Sequence, residues 1–257
     1  MNAKMKVLSL ALVGLCGFAG SAMAVCPAGP TTPDGGAWTS AVTQPSAAAS
    51  PAVVAVPGLD GSECKLTTAL AVGNTAASSF VRYNHAASEP NYRFQFLVDT
   101  SNLLAFSSSS NVVIYQAPAT TAANGFNRLL RVVLVQGNGS ATRVRFIAQT
   151  SAGAHIATST FATDLAPGVH RIEGKLGVGA GAAGQLTYWV DAAAGTTEPA
   201  ASGTIANLDN AAWGGVSAAS LGLTAPSAAF VAAAPGNGGK TVGFDTFDSR
   251  RQTYIGH

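Results

Sequence analysis

A pair of acids able to share acid and base work at a glycosidic bond is the first chemistry to look for in this chain. Beyond residue 24 the glutamates are Glu63, Glu89, Glu173 and Glu198, and none has another acid at i+2 or i+4. Asp245 and Asp248 stand three apart on a strand-like run, a spacing that sends them to opposite faces. Arg250 and Arg251 follow as ready partners for both carboxylates. The histidines stand singly at His85, His155, His170 and His257, with no H-E-x-x-H spacing and no G-x-S-x-G elbow nearby. His170, in GVHRIEGKL, shares its face with Ile172, Gly174 and Leu176 and reads as a hydrogen-bonded core residue. No catalytic residue is assigned from these patterns.

Two glycine-rich stretches imitate nucleotide loops. Residues 234–241 (APGNGGKT) approach the phosphate-loop pattern, and Gly179, Gly181 and Gly184 have dinucleotide-fingerprint spacing. Both motifs require a helix next, whose N-terminal amides hold the phosphates. Here TVGFDTFDS and LTYWVD follow, and both alternate like strands. They are read as turns, and no nucleotide or other cofactor is expected.

A ligand surface has better raw material. Trp213 follows Asn207, Asp209 and Asn210 in NLDNAAWGG, a grouping of amide, carboxylate and indole that suits a sugar. Trp189 alternates with Leu186, Tyr188 and Val190 and is expected on the opposite, accessible face. The Asp209 loop and the stretch Asp99–Asn102 offer too few carboxylates for calcium, so no metal is assigned. Arg143 and Arg145 share one strand face and read as a solvated surface.

The elements that must position these residues are strands. In NYRFQFLVD, Tyr92, Phe94, Phe96 and Val98 fall on one face and Arg93, Gln95 and Asp99 on the other, which predicts one buried and one wet face. RLLRVVLVQ (128–136) is apolar on both faces, and an Asn-Gly turn joins it to TRVRFIAQT in a predicted hairpin. Further strands are predicted at 66–72, 79–85, 111–116, 155–161, 169–176, 185–191, 220–224, 228–232 and 240–248.

Lys4 and Lys6, the apolar run 7–20 and Ala22-Met23-Ala24 have the layout of a secretory signal peptide, with cleavage expected between Ala24 and Val25. The apolar run is shorter than the roughly 20 residues of a membrane span, and no later run reaches that length. Removing residues 1–24 leaves 12 Lys+Arg against 12 Asp+Glu. A neutral chain has little long-range field, so nucleic acid is not an expected partner. Export favours a disulfide between the two remaining cysteines, Cys26 and Cys64. Residues 25–63, rich in Pro, Ala and Ser, are expected to form a loosely packed leader ahead of a β-sandwich domain over 64–257.

The order of SFVRYNHAASEPNYRFQFLVD, PGVHRIEGKL, GQLTYWVDA, NLDNAAWGG and GFDTFDSRRQTYIG resembles the concanavalin A-like, laminin-G-type jelly rolls, in particular a group of uncharacterised exported bacterial proteins. Val169-His170-Arg171-Ile172 is similar to their His-bearing strand, and Phe244-Asp245-Thr246-Phe247 to their closing one. The resemblance implies an all-β, two-sheet antiparallel jelly-roll sandwich with its last strand near its first. It carries over no catalytic residues, and the E-x-D-x-x-E strand of this fold's glycosidases is absent. The resulting expectation is a periplasmic or extracellular, non-catalytic protein that recognises glycan or cell-envelope material. A structural or protein-interaction role in the envelope is the alternative, and a polysaccharide hydrolase or lyase the second alternative.

Overall fold

The computed structural model describes residues 26–44, 49–70, 75–103, 109–123, 126–136, 141–150, 157–232, 240–250 and 253–255. The chain forms fourteen strands among these residues: β1 (Ser40–Gln44), β2 (Ala49–Ala55), β3 (Lys65–Leu70), β4 (Ser78–Glu89), β5 (Asn91–Asp99), β6 (Asn111–Ala123), β7 (Phe126–Gln136), β8 (Thr142–Gln149), β9 (Ala157–Leu165), β10 (Val169–Gly177), β11 (Gly184–Val190), β12 (Gly203–Leu208), β13 (Val216–Thr224) and β14 (Lys240–Arg250). They make two seven-stranded sheets, ordered β1-β4-β13-β6-β7-β8-β9 and β12-β11-β10-β5-β14-β3-β2. Every pairing within the sheets is antiparallel. The closing strand β14 lies between β3 and β5, so the jelly-roll sandwich expected from the sequence is the observed architecture.

Period-two hydrophobicity explains the core. Tyr92, Phe94, Phe96 and Val98 point from β5 into the sandwich and are buried, as are Val144 and Phe146 from β8 in the other sheet. Rings stack across the interior, Phe94 on Tyr115 at 4.3 Å and Phe146 on Tyr188 at 4.1 Å between centroids. Each large apolar side chain buried this way contributes about 1.5–3 kcal/mol. Gly174 on β10 is required by this packing, because a Cβ there would sit 2.5 Å from Phe94 Cε1.

Three expectations need correction. Residues 228–232 form a short helix, α1 (Ala228–Ala232), rather than a strand. Ser227 starts it: its Oγ accepts from Phe230 N–H at 3.1 Å, and its carbonyl accepts from Val231 N–H. A run of alanines has no β preference, so one capping serine decides. The leader is also less loose than its composition predicts. It supplies β1, paired with β4, and β2, paired with β3, at corresponding edges of both sheets. The Cys26–Cys64 disulfide ties it down, with 5.7 Å between Cα atoms. Finally, the outer face of β5 is not wet. Arg93 and Gln95 are fully buried, covered by residues 198–199 and by Tyr254.

The signal-peptide segment with its Ala24–Val25 junction, the Asn-Gly turn, His155, His257, Arg251 and positions 234–239 lie outside the described residues. Lys240 onward is strand β14, as the rejection of a phosphate loop requires. Residues 179–183 form the turn of the β10–β11 hairpin.

Candidate functional site

The residues first singled out for sugar binding are arranged for packing. Trp213 and Trp189 are 1% and 2% exposed, so neither presents a platform. Arg93 stacks on the Trp189 ring at 4.4 Å, and the Trp189 indole N–H donates to Pro199 O at 3.0 Å. Asn210 is buried, and its Oδ1 accepts from Gly179 N–H at 2.8 Å, tying the 207–213 loop to the β10–β11 turn. Asp209 is half-buried beside it and Asn207 is exposed. The side chains of Arg250 and Arg251, the partners expected for Asp245, lie outside the described residues, and Asp245 is held from the leader. Its Oδ2 accepts from Leu59 N–H at 2.7 Å and from the Ser62 hydroxyl, while a β-bulge separates it from Asp248. His170 is the buried, hydrogen-bonded residue expected, with Asp191 2.8 Å from Nδ1 and Ala166 O 2.6 Å from Nε2.

A cluster of basic and amide side chains lies elsewhere, on the outer face of the first sheet. Strand register builds it. Arg82, Ser220, Gln116, Arg131 and Ile147 are successive partners across β4, β13, β6, β7 and β8, and so share one face. The next row places Val133 opposite Arg145. The outward residues Val113, Val133 and Ile147 form a small apolar patch between these polar groups. On β7 the register shifts between Ala117 and Pro118 of its partner, and the extra residue brings Arg128 to the face that Arg131 already occupies. Arg143, farther along β8, is held in a half-exposed ion pair with Asp164 at 2.7 Å.

Electrostatics mark the face as an anion site. Burial, then the neighbouring charges of Arg128 and Arg145, push the Arg131 pKa below its ordinary value. A guanidinium stays protonated regardless, so Arg131 feels the repulsion of its two neighbours, which a bound anion would relieve. Among the described residues no carboxylate pairs with Arg128 or Arg131. Gln116 Oε1, Gln149 Oε1, Ser220 Oγ and Arg131 Nε are buried without a hydrogen-bond partner among those residues. Guanidinium forks match carboxylates in two-point contact, and side-chain amides complete the shell. The face can therefore bind and neutralise a carboxylate. It holds no imidazole or phenol among the described residues whose side chains share it.

A sequence search centred on acids passes over this site. Its signals are Gln116, Arg131, Arg145 and Gln149, but only the order of the sheet, with β6, β7 and β8 adjacent, brings them together.

The fold and this face define a jelly-roll β-sandwich with a basic, amide-lined sheet surface. Solved structures of the same architecture include the endo-β-1,4-glucuronan lyase from the fungus Trichoderma reesei, 15% identical with a TM-score of 0.63 over 88% of this chain and 94% of that one. Alginate lyase Aly36B is 9% identical with a TM-score of 0.59, covering 90% and 95% of the two chains. The marine PL-14 alginate lyase from Aplysia kurodai is 12% identical with a TM-score of 0.51, over 78% and 87%. No protein-family model matches the chain, and no curated protein matches it in sequence. At these identities the likeness is one of fold. It nevertheless overturns the expectation of a non-catalytic recognition module: these neighbours are polysaccharide lyases, the class held as the second alternative.

Proposed function

We propose that this protein is a polysaccharide lyase that acts on uronate-containing chains across the outer face of the first sheet. Elimination at a uronate passes its C5 proton to a base, here solvent water, forms the C4–C5 double bond and breaks the C4–O bond. The departing sugar leaves as its hydroxyl once it takes up a proton, and the C5 proton becomes acidic enough only when the carboxylate charge is neutralised. Arg131 and Arg145 supply that neutralisation. A hydrolase needs paired acids instead, and four of the described acids are engaged with basic groups: Glu173 and Glu198 hold Arg93, Asp164 holds Arg143 and Asp191 holds His170. The observation that carries the reading is the Arg128–Arg131–Arg145 cluster on a fold shared with lyases. Membership of the concanavalin A-like branch and export after cleavage between Ala24 and Val25 belong to the same proposal. Intact-mass measurement of the secreted product tests the cleavage.

The test of activity is ultraviolet absorbance from the new carbon–carbon double bond, followed on polyglucuronate, alginate and a neutral glucan. Product is expected from an acidic polymer only, with a loss of about 100-fold or more on Arg131→Ala, the scale of one removed charge-stabilising group. Absence of unsaturated product from every acidic polymer refutes the reading.

A further inference from the structure

A second opening lies away from the arginine face, where the leader closes one side of the sandwich. It is a cleft of about 390 Å³ between Trp38 and Phe247 on one wall and Tyr83 and His85 on the other, with Asp248 and Ser249 also lining it. Its volume falls within the roughly 300–1,000 Å³ of small-molecule sites. The walls are fixed in place. Trp38 lies 4.8 Å from Phe247, centroid to centroid, and Tyr83 stands edge-on to His85 at 5.6 Å, which stands edge-on to buried Tyr92 at 5.2 Å. The backbone sets the gap as well: Thr39 N–H donates to Arg82 O at 2.8 Å, and Asn84 N–H donates to Thr39 Oγ1 at 3.2 Å. These bonds bracket Tyr83 and hold the leader's Trp38 beside it. Tyr83 is 44% exposed, one of few large apolar side chains so placed.

From this geometry we infer that the cleft is a second glycan subsite, one that takes a neutral pyranose. Aromatic walls match the C–H faces of a sugar ring, and the imidazole of His85 and the hydroxyl of Ser249 are polar groups suited to its rim of hydroxyls. Charge disfavours the uronates proposed for the other face: none of the described residues that line the cleft is an arginine or a lysine, so a carboxylate would lose its water there without gaining a counter-ion. The inference stands apart from the lyase reading, since it shares no residue with the arginine cluster.

Tryptophan fluorescence tests it cleanly. The chain has three tryptophans, and Trp189 and Trp213 are buried, so a ligand-dependent change reports on Trp38. The intact mature protein is titrated with cellotetraose, mannotetraose and a glucuronate tetramer. A saturable change is expected with at least one neutral tetrasaccharide, silent in Trp38→Phe and unaltered in Arg131→Ala. Tyr83→Ala should weaken it about tenfold, which is about 1.4 kcal/mol, and because Tyr83 is exposed this variant retains its fold. No saturable change with either neutral probe overturns the inference, as does unchanged affinity in the Tyr83→Ala variant. Equal binding of the glucuronate tetramer overturns the charge assignment. Lyase activity in Tyr83→Ala reads out the other site separately.

Discussion

Arg93 offers the sharpest test of how the second sheet is held together. Its guanidinium is 0% exposed, bonded to Glu173, which is 2% exposed, and to Glu198 at 2.6 Å, which is 41% exposed. It is sandwiched between the Trp189 ring at 4.4 Å and the Tyr254 ring at 4.9 Å. Replacing Arg93 with Met keeps much of the volume but strands the Glu173 carboxylate in the interior. Breaking a buried pair this way costs about 3–5 kcal/mol, mostly from the abandoned charge. For a domain of this size each kcal/mol lowers Tm by roughly 2–4 °C, so a fall of about 6–20 °C is expected. Glu198→Gln should cost no more than about 1 kcal/mol, because an exposed partner is well solvated. The decisive variant is Arg93→Met with Glu173→Gln. The stranded charge is gone and the glutamine can still accept from Ile255 N–H. Stability should therefore recover by about 2 kcal/mol or more relative to Arg93→Met alone. Urea denaturation at neutral pH reads the wild type, the single variants Arg93→Met, Glu173→Gln and Glu198→Gln, and the double variant. If the two single costs simply add in the double variant, the stranded-charge account is wrong.

Two further outcomes follow from the same reasoning. Reducing the Cys26–Cys64 bond, or replacing both cysteines with serine, should lower stability by about 2–4 kcal/mol and broaden the Trp38 emission, since the leader carries that ring; unchanged urea midpoints would contradict this. The His170–Asp191 pair should make stability pH-dependent in both directions. The Asp191 hydrogen bond raises the His170 pKa despite burial, so that contribution is complete below the imidazole's ordinary value of about 6.5 and fades as pH rises through the folded value. Burial would raise the Asp191 pKa, but hydrogen bonds from His170 and Arg171 N–H outweigh it, so its contribution fades as pH falls through the lowered value. Asp191→Asn should flatten the Tm profile between pH 5 and pH 8; an unchanged profile would place the titration elsewhere.

Alternation along single strands is legible in the amino-acid sequence itself, and it locates β5, β7, β8, β10, β11 and β14 with their inward residues. What alternation cannot show is what lies on top of a sheet. Arg93 and Gln95 alternate as a solvated face should, yet a loop and the C-terminal segment cover them. Trp189 alternates outward and is buried for the same reason. Period two separates the two faces of a strand, but burial of the outer face depends on loops distant in sequence. The arginine face is hidden differently: each of its strands contributes one or two ordinary polar residues, and the pattern exists only across β13, β6, β7 and β8.

Net charge misleads for a related reason. Balanced lysine, arginine and acid counts after residue 24 argue against long-range attraction of polyanions. They say nothing of a local field, which decays over about 8 Å at physiological ionic strength. Arg128 and Arg145 both lie close enough to act on Arg131, so a carboxylate bound at Arg131 would feel more than one of them. Affinity for an acidic polymer should therefore fall steeply as sodium chloride rises from about 0.05 to 0.5 M, while the neutral tetrasaccharide in the Trp38–Tyr83 cleft should bind equally at both. Arg131→Ala should flatten the first dependence and leave the second untouched. A salt response that survives in Arg131→Ala would mean that the acidic chain is held by some other surface, and the first sheet's outer face would lose its claim to the substrate.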